Sequence, residues 1–308
     1  MTKKYVYGPV PSRRLGLSLG IDLTPRKVCD FDCVYCQCGK TTIKTVRRKP
    51  YFPGRRILKQ VRNAIRDRGR IDFLTFSGSG EPTLNSGIGC LIKEIKKFTA
   101  IPVAVITNGS LLYRPAVRRA LRSADVVLPT LCAASPAAFN RVNRPHRAIK
   151  IRRVIQGLAE FRKSYPGKIW LEVMLVRGLN DSALEIQRLK KAIRKINPDR
   201  VHLNTVVRPP SERSARPVPL AVLRKIKKML GPNCAIVAEF GKKQSPVPQA
   251  DLKNGVIEII RRRPETAPRI ARSLGADRGE VIKVLTELKR KKRIRIIHHR
   301  HRAYYQLV

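Results

Sequence analysis

Six short apolar runs recur along this chain, each followed by an amphipathic stretch, and that alternation leaves few folds open. The runs are Leu17–Leu23, Phe73–Ser77, Val103–Thr107, Val126–Leu131, Ile169–Leu175 and Val201–Val206. They have the length and apolar character of buried strands. Between them apolar residues fall at helical spacing, as in Ile57, Leu58, Val61, Ala64 and Ile65, or Leu184, Ile186, Leu189 and Ile193. Strands alternating with helices build parallel βαβ units. Six such units predict an α/β fold, a partial (β/α)6 TIM-like barrel, with functional groups on the rim at the carboxyl ends of the strands. A helix over Val222–Leu230 and a strand over Cys234–Ala238 complete a core domain spanning residues 1–240.

The pattern changes after that. Residues 241–250 carry Gly241, Pro246 and Pro248 among polar residues and read as a linker. In residues 251–308 a short helix around Val256, Ile257 and Ile260 comes first. A second follows, capped by Thr266 and stopped by Gly275. A third spans Gly279–Lys289, with Asp277 and Glu280 at capping-box spacing. Arg293–Ile297 and Ala303–Val308 read as two strands around a basic loop. Three helices and a hairpin predict a winged helix-turn-helix domain.

Cys29, Cys33 and Cys36 form a C-x3-C-x2-C triplet in a short loop. Three thiolates so spaced suit three irons of a cubane 4Fe-4S cluster, whose fourth iron stays open to a substrate or cofactor. A closed zinc site needs a fourth ligand and normally a second pair. Cys38 could complete such a set, but the next cysteine is Cys90. Seven cysteines, an odd number, with no apolar leader after Met1, speak against a disulfide framework. Cys38 reads as a small apolar residue, and Cys132 as a buried inert thiol.

Lys and Arg number 66 against 21 Asp and Glu, a net charge of +45. Residues 1–249 hold 50 basic and 15 acidic residues, and residues 250–308 hold 16 and 6, so the excess is spread throughout. Such charge favours a polyanion, with nucleic acid the first candidate. No apolar run is long enough to span a bilayer. Thiols kept for a cluster predict a reducing compartment, the cytoplasm.

Further phrases carry a resemblance. Tyr35 directly precedes Cys36. Ser79-Gly80-Glu81-Pro82 follows one strand, and Thr107-Asn108-Gly109-Ser110 follows the next. Longer phrases begin at Tyr7, Arg141 and Leu203. Together these resemble the radical S-adenosylmethionine (AdoMet) enzymes. Within them they resemble a largely uncharacterised branch related to the tRNA wyosine-synthesis iron–sulfur oxidoreductases, over residues 5–240 or so. The resemblance implies AdoMet on the open iron and one-electron cleavage to methionine and a 5′-deoxyadenosyl radical. It gives Glu81, with backbone around Ser79 and Gly80, the AdoMet ammonium, and Tyr35 the adenine. Thr107, Asn108 and Ser110 become candidates for ribose or carboxylate contacts. Glu81 and Thr107-Asn108-Gly109 also read as a plain helix cap and a plain turn. Arg13 and Arg14 are open to phosphate, AdoMet carboxylate or solvent. Asn143, Arg144 and His146 stand where a substrate could be met.

One departure matters. The wyosine enzymes hold a second cluster on three upstream cysteines, and no cysteine precedes Cys29 here. The expectation is therefore a radical AdoMet enzyme acting on nucleic acid, tRNA first, fed by an electron donor such as a flavodoxin or ferredoxin. The alternatives are the same chemistry on a protein or metabolite, with the winged helix as a docking module, and a DNA-binding iron–sulfur redox sensor.

Overall fold

In the computed structural model, which describes residues 4–67, 69–237 and 252–308, the alternating pattern becomes one eight-stranded sheet. β1 (Val6–Ser12) and β2 (Gly16–Ile21) form an antiparallel hairpin. A short parallel pair, β3 (Val28–Cys29) and β4 (Ile43–Lys44), holds the cysteine loop between its strands. Then follow α1 (Gly54–Asp67), β5 (Phe73–Phe76), α2 (Ile88–Lys96), β6 (Val103–Thr107), α3 (Pro115–Leu121) and β7 (Val126–Pro129). The core continues with α4 (Pro136–Asn143), α5 (Ile151–Ser164), β8 (Lys168–Leu175), α6 (Ala183–Ile196), β9 (Arg200–Thr205), α7 (Leu220–Leu230) and β10 (Cys234–Ile236). The spatial order is β1-β2-β5-β6-β7-β8-β9-β10, parallel from β2 onward. Among the described residues β10 does not pair with β1, so this is the open, partial barrel the sequence predicts.

Alternation along the strands sorts the side chains. Leu19, Leu74, Phe76, Val105, Val127, Leu171, Val173 and Leu203 join the buried layer shared with the helices. On the other face Leu15, Ala104, Val126 and Leu128, with Phe73 and Trp170 against them, plug one end of the barrel. Further along, the inward positions turn polar: Ser18, Thr75, Thr130, Glu172 and Asn204 face a cavity. The barrel is thus dry at the end where the strands begin and polar where they finish.

The last segment folds as α8 (Leu252–Arg262), α9 (Ala267–Leu274), α10 (Arg278–Arg290) and an antiparallel hairpin of β11 (Ile294–His299) and β12 (Arg302–Leu307). It has its own core around Val256, Ile260, Ile270, Val281, Leu285 and Leu288. Asp277 caps α10 by accepting from Gly279 N and Glu280 N, and Gly275 ends α9 at φ 61°. Thr266 stands at the N-cap position of α9, but its hydroxyl makes no capping bond. This segment packs on the barrel. Val10 of β1 joins its core, and Tyr304 donates its hydroxyl to Val207 O at 2.9 Å. Arg208 donates to Glu265 Oε2 at 3.1 Å, with both side chains buried.

Three elements depart from the sequence expectation. β1 adds an antiparallel edge, and α3 and α4 are short helices the apolar periodicity does not announce. The strand expected to reach Ala238 ends at Ile236. Ala238 and the expected linker at 241–250 lie outside the described residues.

Candidate cluster and cofactor site

The cysteine loop leaves β3 and is held from several sides. Val34 N donates to Val142 O at 3.0 Å, and Asp32 N to Asn143 O at 3.0 Å, so the C-terminal turn of α4 braces the loop. Ser211 Oγ donates to Cys33 O at 2.9 Å. Cys29, Cys33 and Cys36 are each half-buried.

Each of the three sulfurs has a nitrogen donor beside it. Lys27 Nζ stands 3.1 Å from Cys36 Sγ, Asn143 Nδ2 3.4 Å from Cys33 Sγ, and Phe31 N 3.5 Å from Cys29 Sγ. Such donors stabilise thiolate and tune a bound iron–sulfur centre. Cys36 is pulled down to about 5, first by a hydrogen bond from Cys38 and then, against burial, by Lys27. Cys29 and Cys33 are pushed up by burial and by neighbouring negative groups, so they are the two that gain most from a cation. Among the described residues, no group of three or more His, Cys, Asp or Glu is gathered tightly enough to hold a single metal ion. A cubane assigns each cysteine its own iron, and the donor set here fits that centre better than a closed zinc site.

The cluster loop opens on a cavity of about 330 Å³ inside the barrel, bounded by Cys29, Cys36, Tyr35, Gly80, Glu81 and Asn108. The segment after β5 is shaped by close packing. A Cβ on Gly80 would lie 2.2 Å from Val28 O, so only glycine lets this backbone run beside β3. Ser79 donates its hydroxyl to Asp22 Oδ2 at 3.0 Å, its carbonyl accepts from Lys27 N at 2.8 Å, and it is buried behind the cavity rather than lining it.

Glu81 is buried and heavily bonded. Its Oε1 accepts from Thr83 N at 2.9 Å, Thr83 Oγ1 at 2.5 Å and Thr107 Oγ1 at 2.6 Å. Its Oε2 accepts from Asn108 N at 2.8 Å. Burial raises its pKa, an effect these bonds partly offset. Glu81 is therefore a cap and a clamp between the ends of β5 and β6, and its Oε2 keeps acceptor capacity toward the cavity.

Thr107 and Asn108 line the cavity, whereas Ser110 is fully buried behind it and donates its hydroxyl to Asp30. Asp30 also accepts from Asn108 Nδ2 at 2.5 Å, tying the end of β6 to the residue after Cys29. Burial, then the charge of Glu81, raises Asp30 to about 7. Tyr35 lines the cavity with its hydroxyl 2.9 Å from Cys132 Sγ, and Asn143 Nδ2 lies 3.5 Å from the same sulfur. Cys132 is buried as expected, but it is hydrogen-bonded rather than simply packed. Cys38 departs from its expected apolar role, because it lines the cavity and donates its thiol to Gly78 O at 4.0 Å. Arg144 pairs with Glu212 at 2.7 Å and His146 N donates to Asp30 O at 2.7 Å, and neither residue lines the cavity.

On the opposite wall stand Arg13 and Arg14, which the sequence singled out, and Glu172, which it did not. Glu172 holds Asn204 Nδ2 at 2.8 Å and pairs with Arg14 at 3.4 Å. Burial would raise Glu172, but Arg14, Asn204 and Arg13 outweigh it and leave its pKa lowered. Arg208 and Arg263 complete that wall. An alternating strand such as Ile169–Leu175, with a charged residue at an inward position, was the available signal for Glu172.

Comparison with known proteins shows the family. Residues 23–203 match the family model described as the Radical SAM superfamily. The chain belongs to the radical SAM superfamily. It is 36% identical to the UPF0026 protein of Methanocaldococcus jannaschii over 71% of this chain and 69% of that one. It is 38% identical to a Brachyspira hyodysenteriae protein named GTPase Obg over 92% of this chain, yet spans only 42% of that protein's length. A phosphate loop of the form G-x-x-x-x-G-K-[ST] would need glycine at position 34 ahead of Gly39-Lys40-Thr41, and that position is Val34. Among solved structures, a radical SAM methyltransferase from Sphaerobacter thermophilus shares the fold. Its TM-score is 0.57 at 19% identity, over 73% of this chain and 67% of that one.

Proposed function

We propose that this radical SAM enzyme binds one 4Fe-4S cluster on Cys29, Cys33 and Cys36 and AdoMet beside it, and that it modifies a nucleic acid, tRNA first. The observation that carries the reading is one continuous cavity. It begins at the cysteine loop, takes in Tyr35, Gly80, Glu81 and Asn108, and runs on to Glu172, Asn204 and Arg208. A cofactor fills the near part, and the far part is left for a substrate. When bound, cluster and AdoMet supply a 5′-deoxyadenosyl radical, and the protein's tasks are binding, orientation and exclusion of water.

The residues divide those tasks. Lys27, Asn143 and Phe31 N hold the thiolates. Backbone at Gly80, with Oε2 of Glu81, receives the cofactor ammonium, a cation well matched to a carboxylate acceptor. Tyr35 offers its ring to the adenine. The dry plug of Leu15, Phe73 and Leu128 closes the barrel at the end where its strands begin.

The nucleic-acid part rests on charge and on the C-terminal segment. A net charge of +45 favours polyanions and an acidic electron donor of the flavodoxin or ferredoxin kind. We read α8–α10 and the β11–β12 hairpin as a winged helix, with the basic stretch Lys289–Arg293, which begins in the last turn of α10, as a set of phosphate contacts. The resemblance to the wyosine branch covers residues 5–240 or so, and neither the wyosine reaction nor its second cluster is part of this reading.

The test compares modified nucleosides in total tRNA from cells with and without the protein, alongside anaerobic assays of the purified chain. One nucleoside is expected to change with the gene and with Cys33. An unchanged nucleoside profile, with 5′-deoxyadenosine formed in an extract free of RNA, would move the substrate to a protein or metabolite.

A further inference from the structure

The loop that follows β9, residues 206–212, touches the cysteine loop on one side and the C-terminal segment on the other. Toward the cysteine loop, Ser211 Oγ donates to Cys33 O at 2.9 Å and to Val34 O at 3.0 Å, and Glu212 N donates to Val34 O at 3.0 Å. Val206 shares a small apolar cluster with Val34, and Tyr35 packs against it. Toward the C-terminal segment, Val207 O accepts from the Tyr304 hydroxyl at 2.9 Å. Arg208 reaches both. Its Nη1 donates to Gln37 Oε1 at 3.3 Å and its Nη2 to Glu265 Oε2 at 3.1 Å. Gln37 stands between Cys36 and Cys38 in the sequence. Glu265 is strapped to β12 by two backbone bonds with Tyr305, at 3.1 and 2.8 Å.

Pro209 and Pro210 connect Arg208 to Ser211. Proline fixes its own φ and restricts the residue before it, so this stretch is stiff. A stiff link passes a displacement on where a flexible one would absorb it. Arg208 is buried, and a guanidinium with two directed bonds fixes the relative placement of the groups it reaches. Next to Gln37 is Cys36, whose sulfur has Lys27 Nζ 3.1 Å away. Iron–sulfur centres respond to hydrogen bonds on their sulfurs and to solvent access, so a shift of Gln37 is felt at a bound cluster.

We propose that the C-terminal segment clamps the cluster loop through residues 206–212, with Arg208 as the positioning residue, so that cluster retention and reduction potential depend on how that segment is docked. The inference rests on the reading of Cys29, Cys33 and Cys36 as cluster ligands and adds a means of regulating that site. It gives the C-terminal segment a task besides contact with nucleic acid. Whatever tightens or loosens the segment on the barrel changes the surroundings of Cys36. Coupling of this kind is reciprocal, so a loaded cluster tightens the segment in turn.

The test uses the full chain and needs no turnover. Hydrogen exchange is compared in the wild type with and without its reconstituted cluster. Loading is expected to slow exchange in α9 and β12 as well as in the cysteine loop. Protection confined to the cysteine loop would overturn the proposal. Two variants then act from opposite ends of the route. Gln37→Ala removes the acceptor that Arg208 uses on the cluster loop, and Tyr304→Phe removes the hydroxyl bonded to Val207 while keeping the ring. Each is expected to speed iron loss to a chelator by about tenfold and to displace the midpoint potential in a redox titration followed by electron paramagnetic resonance. Because both act on one route, the double variant should lose iron more slowly than the product of the two single effects. Gln37→Glu keeps an acceptor for Arg208 and should restore retention. A Tyr304→Phe chain that loosens α8–β12 yet keeps wild-type iron loss and potential would contradict the clamp, as would single effects that simply multiply. Should Tyr304→Phe not fold, the two Gln37 variants and the wild-type exchange decide: wild-type iron retention in Gln37→Ala ends the proposal. A wild type without a 4Fe-4S signal would sink the cluster reading itself. The link is then judged on cluster-free chains, where faster exchange of α9 in Gln37→Ala keeps it and unchanged exchange removes it.

Discussion

Glu81 accepts four hydrogen bonds, and the carboxylate rather than the side-chain length is what they require. In Glu81→Gln one oxygen becomes an NH2 group, which must face either Thr83 and Thr107 or the Asn108 N–H. A donor meets a donor in each case, at a cost of about 1–3 kcal/mol. The expected result is a lower melting temperature together with weaker AdoMet binding, read by calorimetry on the anaerobic protein. A variant with wild-type stability would contradict the clamp. His202 gives a second prediction. It is buried at an inward position of β9, edge-on to Trp170 at 5.7 Å, and its Nδ1 has no hydrogen-bond partner among the described residues. Burial, then Arg14, lowers it to about 4 from the ordinary 6.5. The folded chain keeps it neutral while the unfolded chain takes up a proton, so its contribution is complete above pH 6.5 and is lost as pH falls toward 4. Urea midpoints should drop over that window by the equivalent of roughly 2–3 kcal/mol. His202→Leu should flatten that part of the profile, and an unaltered slope would count against it.

At the scale of elements, the contact between barrel and C-terminal segment depends on Glu265. Burial would raise its pKa, but Arg208, Arg263 and Arg269 outweigh that and leave it lowered. A lowered carboxyl stabilises fully above the unfolded value of about 4.3 and ceases to do so as pH falls through the folded one. Glu265→Gln should cost about 3–5 kcal/mol, because three guanidinium groups lose their buried partner. Hydrogen exchange should rise in α8–β12 before it rises in β5–β9, and uniform exchange across both would refute the assignment. How much of this the sequence disclosed differs by element. Val103–Thr107 reads as a strand because both of its faces are buried, which leaves a continuous apolar run. β1 does not, since Gly8, Pro9 and Pro11 interrupt it and its pairing is antiparallel. α3 and α4 escape because each begins with proline and is only about two turns long, too short for a period to emerge. The cysteine triplet and Glu81 were readable as local motifs. Asp30 behind Asn108, and Arg208 against Glu265, were not, because those pairs are 78 and 57 residues apart and only the fold brings them together.

Across the whole molecule, two unequal parts share one cavity, and the net charge of +45 is spread over both. Attraction to nucleic acid should therefore be strongly salt-dependent, with log affinity falling linearly in log salt. Retention of tRNA that is weak even at low salt would argue for a small substrate. The description still turns on the cysteine loop and the ledge at Gly80 and Glu81 forming one site. The most direct measurement is electron paramagnetic resonance of the anaerobically reconstituted, reduced protein before and after AdoMet is added. The account predicts a 4Fe-4S signal that changes shape with AdoMet, disappears in Cys33→Ala and persists in Cys38→Ala. A signal indifferent to AdoMet, or one that survives loss of Cys33, would contradict it.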